Sequence, residues 1–241
     1  MRLITVLFAA LLIFPTLTAQ AVVIPASERL SDVPASAGTG LSGSYYRLPG
    51  YVPDVLSAAT VAAKLVEPSA RFTALTLCFP RCGATTKDGG PIEAYVAMNG
   101  TDLTGSANLG ASFTRFSGAL AIAKAGTYAF SLYSDDGAML SIGNTVVAAM
   151  LKQQPWAGVT TSATFEQPGL YAIQLLQFDI GGYTGITLLL DSSALPTAAL
   201  YDTGRLESVT AKLSASVPEP NSLSLLVAGL LGFTTLYRRR G

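Results

Sequence analysis

Asp135 and Asp136 stand side by side in Ser134-Asp135-Asp136-Gly137, at the end of a strand-like run. Adjacent carboxylates repel each other and are poor strand formers, so the pair either solvates a turn or holds a cation between its oxygens. The fitting cation is calcium, which takes roughly six to eight oxygen ligands, so two carboxylates need carbonyls, water or another acid beside them. Trp156 and Tyr183 fall in loops, where an aromatic face can stack on a sugar ring. Trp156, next to Pro155, equally suits plugging the end of a barrel. The chain has no histidine, which removes the usual neutral-pH proton shuttle and the commonest transition-metal ligand. The acids outside the pair, such as Glu93 and Glu166, have no motif around them. No activated nucleophile or convergent acid pair is in view, and the reading is of a protein that is not an enzyme.

The elements that must position these residues read as mainly β. Tyr128, Phe130 and Leu132 alternate with Ala129, Ser131 and Tyr133, the period of a strand with one buried face. Further strands are expected at 116–122, 139–142, 145–149, 161–165, 170–177 and 186–190, separated by glycine-containing turns. Gly143-Asn144 is expected to supply the positive-φ residues of a tight hairpin. Upstream, strands are expected at 41–46, 71–79 and 92–98, with 99–112 a loop. Asp54 can cap a helix that runs to Val66 and cannot continue past Pro68. Short strands at this spacing predict an antiparallel sandwich or barrel with one accessory helix. Asn99-Gly100-Thr101 reads as a turn.

The run Phe116-Ser117-Gly118, then Gly126-Thr127-Tyr128-Ala129-Phe130, then Ser134-Asp135-Asp136-Gly137 with Leu140, Ile142 and Gly143 resembles the signature of the PA-fourteen family, the protective-antigen-like β-barrel. In that family's sugar-binding members the paired aspartates, joined by a cis peptide, hold a calcium ion that also touches the glycan; in other members the barrel is only a scaffold. The resemblance implies a further side-chain oxygen and two main-chain carbonyls from a loop, falling here on Asp179, Gly181 and Tyr183. A one-residue shift would put Ile180 in the side-chain place.

Both ends read as transport signals. Met1 to about Ala21 has one basic residue, an apolar run and the small-residue ending Ala19-Gln20-Ala21 of a secretory signal peptide. Residues 22–40 are expected to be a linker, 41–191 the β domain and 192–216 a spacer. Over 217–241, Pro218-Glu219-Pro220 precedes an apolar segment of about 15 residues, roughly 23 Å as a helix and marginal for a bilayer. Arg238, Arg239 and Arg240 follow, a cluster that holds its end in the cytoplasm. This tripartite tail resembles the PEP-CTERM sorting signal and favours sorting over a permanent single-span anchor. The resemblance implies recognition by an exosortase in the inner membrane of Gram-negative bacteria that make exopolysaccharide. The processing partners are then signal peptidase and exosortase. The chain passes through the inner membrane as a transmembrane helix and ends at the cell surface or outside the cell. The expected partner there is extracellular polysaccharide.

Within an exported chain, Cys78 and Cys82 are expected to form a local disulfide, with metal ligation by a lone C-x3-C as the alternative. With 15 basic and 15 acidic residues, net charge is zero, which leaves no electrostatic footprint for nucleic acid. Two function classes remain: a glycan-binding module, with calcium as the possible cofactor, and a non-catalytic structural component of the surface or biofilm matrix.

Overall fold

The computed structural model describes residues 21–203. The signal peptide up to residue 20, the transmembrane sorting helix and the motif residues Pro218, Glu219, Pro220 and Arg238 to Arg240 lie outside the described residues. In chain order the strands are β1 Val22–Ile24, β2 Arg29–Ser31, β3 Leu41–Arg47, β4 Ala70–Ala74, β5 Cys78–Phe79, β6 Thr86–Lys87, β7 Gly100–Gly105, β8 Ser112–Ile122, β9 Gly126–Asp135, β10 Ala138–Ile142, β11 Thr145–Met150, β12 Ala157–Phe165, β13 Gly169–Asp179, β14 Tyr183–Leu190, β15 Ser193–Ala194 and β16 Leu200–Tyr201. Among the described residues two α-helices interrupt them, α1 Val55–Ala62 and α2 Ile92–Val96.

The strands form two facing sheets. One has the order β1-β12-β9-β14-β15, with β5 and β6 also on β14; the other runs β11-β10-β13-β8-β3-β4-β7, with β16 on β8 and β2 on β13. Pairing is antiparallel apart from β1, which lies parallel to β12. Alternation decides which side faces in. Phe130 and Leu132 of β9 stand opposite Leu190 and Leu188 of β14, while Phe116 and Leu120 of β8 stand opposite Leu175 and Tyr171 of β13. Both sets join one buried core. Phe79 of β5 ties the layers together by stacking on Phe116 at 5.3 Å and on Tyr95 at 5.6 Å. Burying one such ring stabilises the fold by roughly 2 kcal/mol.

Helix α1 covers the outer face of the larger sheet. Asp54 caps it, accepting from the amide of Ser57 at 2.7 Å. Val55, Ala58 and Ala62, at helical spacing, pack with Tyr46, Phe113, Leu176 and Phe178 in a second apolar cluster. The helix ends one turn before the expected Val66.

The structure corrects several expectations. Residues 92–98 are not a strand: Ile92, Tyr95 and Val96 are the buried residues of α2, a three-and-four spacing that places one face on the core. Within the expected loop at 99–112, β7 pairs with β4. Its polar residues need no alternation, because an edge strand is held through its backbone. Residues 22–31 of the expected linker supply β1 and β2, and the expected spacer begins with β15 and β16. Too short to show an apolar period, these pieces put at most one side chain each fully into the core, Ile24 of β1 and Leu200 of β16. At the β10–β11 hairpin Gly143 takes φ 58°, whereas Asn144 is not among the positive-φ residues. Among the described residues no helix is long and apolar enough to cross a membrane.

Candidate functional site

Strand β9 of one sheet ends at Asp135, and β10 of the other begins at Ala138. The aspartate pair therefore occupies the crossing between layers, at one end of the sandwich. The Asp135-Asp136 peptide bond is cis. Gly137 is required here, since a Cβ would stand 2.5 Å from the Met150 carbonyl oxygen and 2.6 Å from the Phe178 ring. Because β10 lies beside β13, with Ala138 opposite Gln177, the end of β13 brings Asp179 to the same place.

Hydrogen bonds fix these groups. Asp136, 4% exposed, accepts from the Ile180 amide at 2.9 Å through one oxygen and from the Gln154 amide at 3.3 Å through the other. It thus ties two loops together. Asp179, 1% exposed, accepts from the Gly181 amide at 2.9 Å through Oδ1, while its Oδ2 is buried without a hydrogen-bond partner. Ile180 packs on the cluster beneath α1, so Asp179 and not Ile180 faces the aspartate pair. Gly181 and Gly182 follow at φ 130° and 105°, backbone that only glycine adopts readily. Tyr183 then opens β14 with its ring half in solvent.

Sequence reasoning missed three residues. Gln177, buried, shares the two hydrogens of its side-chain amide among the carbonyl oxygens of Asp135 and Gly185, each at 3.0 Å, and the Thr184 hydroxyl at 3.2 Å. It accepts from the Tyr95 hydroxyl at 3.0 Å, so a polar network braces the pair from below. Asp88, after β6, brings a fourth carboxyl beside Asp179, with both oxygens buried and unpartnered. Its setting, Lys87-Asp88-Gly89-Gly90, looks like any solvated turn. Tyr133 lies across Gly158, where a Cβ would clash at 2.2 Å, and stacks on Trp156 at 6.0 Å and 17°. Its partner could have been suspected only from the strand pairing.

The carboxyls are costly as they stand. Burial, and next the charge of Asp136, pushes Asp135 up to about 6, against the opposing amide of Trp156. Burial raises Asp136 too, opposed by the amides of Ile180 and Gln154. Burial raises Asp179 most clearly, and the charges of Asp88 and Asp136 add to it against the Gly181 amide. A divalent cation would relieve all of these at once. The donors are oxygens only, and orphaned carboxylate oxygens are present, so the residues fit calcium. Among the described residues no three acidic, cysteine or histidine side chains already form a metal-ready cluster. A complete shell would draw on Asp135, Asp136 and Asp179, on the carbonyls of Gly181 and Tyr183, and on water.

Trp156 is half-buried and outside both apolar clusters. Its amide reaches the Asp135 carboxylate, and its ring extends Tyr133 into a two-ring surface. Cys78 and Cys82 are joined in a disulfide that encloses Phe79-Pro80-Arg81. The Asn99 side chain is taken up by the carbonyls of Cys78 and Pro80.

The PEP-CTERM protein-sorting motif matches residues 216–240, so the chain carries the C-terminal sorting signal of an exported protein. No curated protein matches the sequence. Among solved structures, the chain is similar to the PA14 domain of the MpAFP antifreeze protein at 22% identity and a TM-score of 0.62, covering 71% of this chain and 95% of that one. It is also similar to a PA14 sugar-binding domain from an RTX adhesin at 23% identity and a TM-score of 0.56, covering 64% and 90%. The fold of residues 21–203 is PA14-like.

Proposed function

We propose that this is an exported surface or extracellular protein whose PA14-like domain binds glycan through a calcium ion held by Asp135, Asp136 and Asp179 and the carbonyls of Gly181 and Tyr183. The observation that carries the reading is the convergence at one end of the sandwich of the adjacent aspartate pair and a buried aspartate with an unpartnered oxygen. Beside Asp135, the Tyr133–Trp156 stack offers a flat apolar face to a sugar ring, and the half-exposed Tyr183 adds a second aromatic. Bound calcium would supply a positive centre for sugar hydroxyls. The chain's own part is to hold these groups in place: Asp136 through two amides, and the Asp135 backbone through its carbonyl on Gln177. One similar structure is named a sugar-binding domain, which agrees with this reading but supports it only at the level of fold.

In the same proposal signal peptidase removes the leader near Ala21. An exosortase in the inner membrane processes the tail, and extracellular polysaccharide is the partner of the released or surface-held domain. None of this requires catalysis by the chain.

One observation favours a second reading, a structural surface or matrix component with no lectin site. Both oxygens of Asp136 already serve backbone amides, as they would if the pair only joined loops. A glycan array with calcium and with chelator decides between the two. Binding that needs calcium supports the lectin reading, and no binding under either condition leaves the scaffold reading.

A further inference from the structure

Asp88 lies far from the aspartate pair in sequence, and the fold carries it to the same end of the sandwich. Thr86 and Lys87 pair with Thr184 and Tyr183, and the Asp88 amide donates to the Gly182 carbonyl at 3.1 Å. These bonds lay residues 83–91 over the loop that follows Asp179. One Asp88 oxygen comes within 3.7 Å of where a Cβ of Gly181 would stand. Both Asp88 carboxylate oxygens and Oδ2 of Asp179 are shut off from solvent with no donor. Two buried carboxylates that face each other cannot satisfy each other unless one holds a proton, and a fold has no structural use for three orphaned oxygens in one place. A hard cation between them satisfies all three.

We propose that Asp88 is a further carboxylate ligand of the same divalent cation, so that the metal latches residues 83–91 onto the loop from Asp179 to Tyr183. This rests on the calcium reading of Asp135, Asp136 and Asp179. A fourth carboxylate raises affinity through ligand charge. It also couples metal binding to the order of the surface beside Tyr183, because the loop is already fastened at its start by the Cys78–Cys82 bond. Bound metal would then hold residues 83–91 against this loop more firmly than the backbone pairing with β14 does alone.

The test uses the purified full chain, calcium chloride as the probe, and the variants Asp88→Asn and Asp135→Asn/Asp136→Asn. Calcium affinity is read by titration calorimetry, and loop closure by trypsin cleavage after the exposed Arg81 and Lys87. We expect Asp88→Asn to weaken calcium binding about ten-fold or more and to abolish calcium-dependent protection of the loop. Its metal-free melting temperature should rise, because one repelling charge is gone. Calcium affinity and protection equal to wild type in Asp88→Asn would overturn the latch and leave the three-aspartate site standing. A fall in the metal-free melting temperature would make Asp88 a structural residue and overturn it as well. Wild type that binds no calcium would remove the underlying site, and the latch with it.

Discussion

Asp136 carries two loads, one in each kind of environment. Its oxygens hold the amides of Ile180 and Gln154, so Asp136→Ala leaves two donors unpaired in a buried place and should cost about 1–3 kcal/mol in urea unfolding of the metal-free protein. Asp135→Asn/Asp136→Asn keeps the shape and drops the charge. Calcium should raise the melting temperature of wild type by mass action and not that of the double variant; a calcium shift of equal size in both would sink the site. Titration gives an independent handle. Asp135 is raised to about 6 by burial and by Asp136, and Asp179 is raised by burial and neighbouring charge. A carboxyl whose folded-state pKa is raised contributes stability that is present below its unfolded value and lost as pH climbs through its folded value. The metal-free protein should therefore melt at lower temperature as pH rises from about 4 through about 6 and above. In the presence of calcium that loss should shrink, since the ion takes the place of the protons. A metal-free melting temperature that rises over the same window would contradict the burial of these groups.

At the scale of elements, the site depends on how β9, β10 and β13 end together. Gln177 on β13 shares its two amide hydrogens among acceptors on Asp135, Thr184 and Gly185 and accepts from Tyr95. Gln177→Ala should cost on the order of 3 kcal/mol, through the cavity and the unpaired carbonyls, and should weaken calcium binding through Asp135. A variant as stable as wild type would show that the network is not what braces the pair. The crossing itself leaves no room: with backbone oxygen 2.5 Å from a Cβ at Gly137, Gly137→Ala should destabilise by roughly 1–3 kcal/mol, measured by thermal and urea unfolding. These elements were partly legible in the sequence. The strands from Phe116 onward announced themselves by period-two alternation, because each has one face on a deep core. Residues 92–96 did not, because a five-residue helix with three buried side chains looks like a short strand when no side-chain cap marks its start. Strands β1, β2 and β7 had no signal to give, being short or at edges and held by backbone pairing.

For the whole molecule, the termini and the domain answer to different demands. Cleavage near Ala21 would leave Val22–Ile24 intact, and those residues pair with Ala163, Thr164 and Phe165 of β12. Mass spectrometry of the native product is expected to find a start near Val22 and loss of the segment beyond Pro220; finding Arg238 to Arg240 on the protein outside the cell would refute this. The sorting motif at 216–240 is a linear stretch of sequence, so it is legible without any fold.

The sequence by itself determined the β class, the capped helix at Asp54, the aspartate pair and the C-terminal sorting motif, because alternation, capping and linear motifs are local properties of the chain. Only the tertiary structure decided which distant residues meet that pair. Asp179 is reached by resemblance and is placed by the β10–β13 pairing; Asp88, just past β6, and Gln177 on β13 meet the pair only through the order of strands in the sheets, and Trp156 meets Tyr133 through the β9–β12 pairing. A carboxylate in Lys87-Asp88-Gly89-Gly90 is cheap in water and costly once buried against Asp179. That difference in environment exists only after the two sheets have closed.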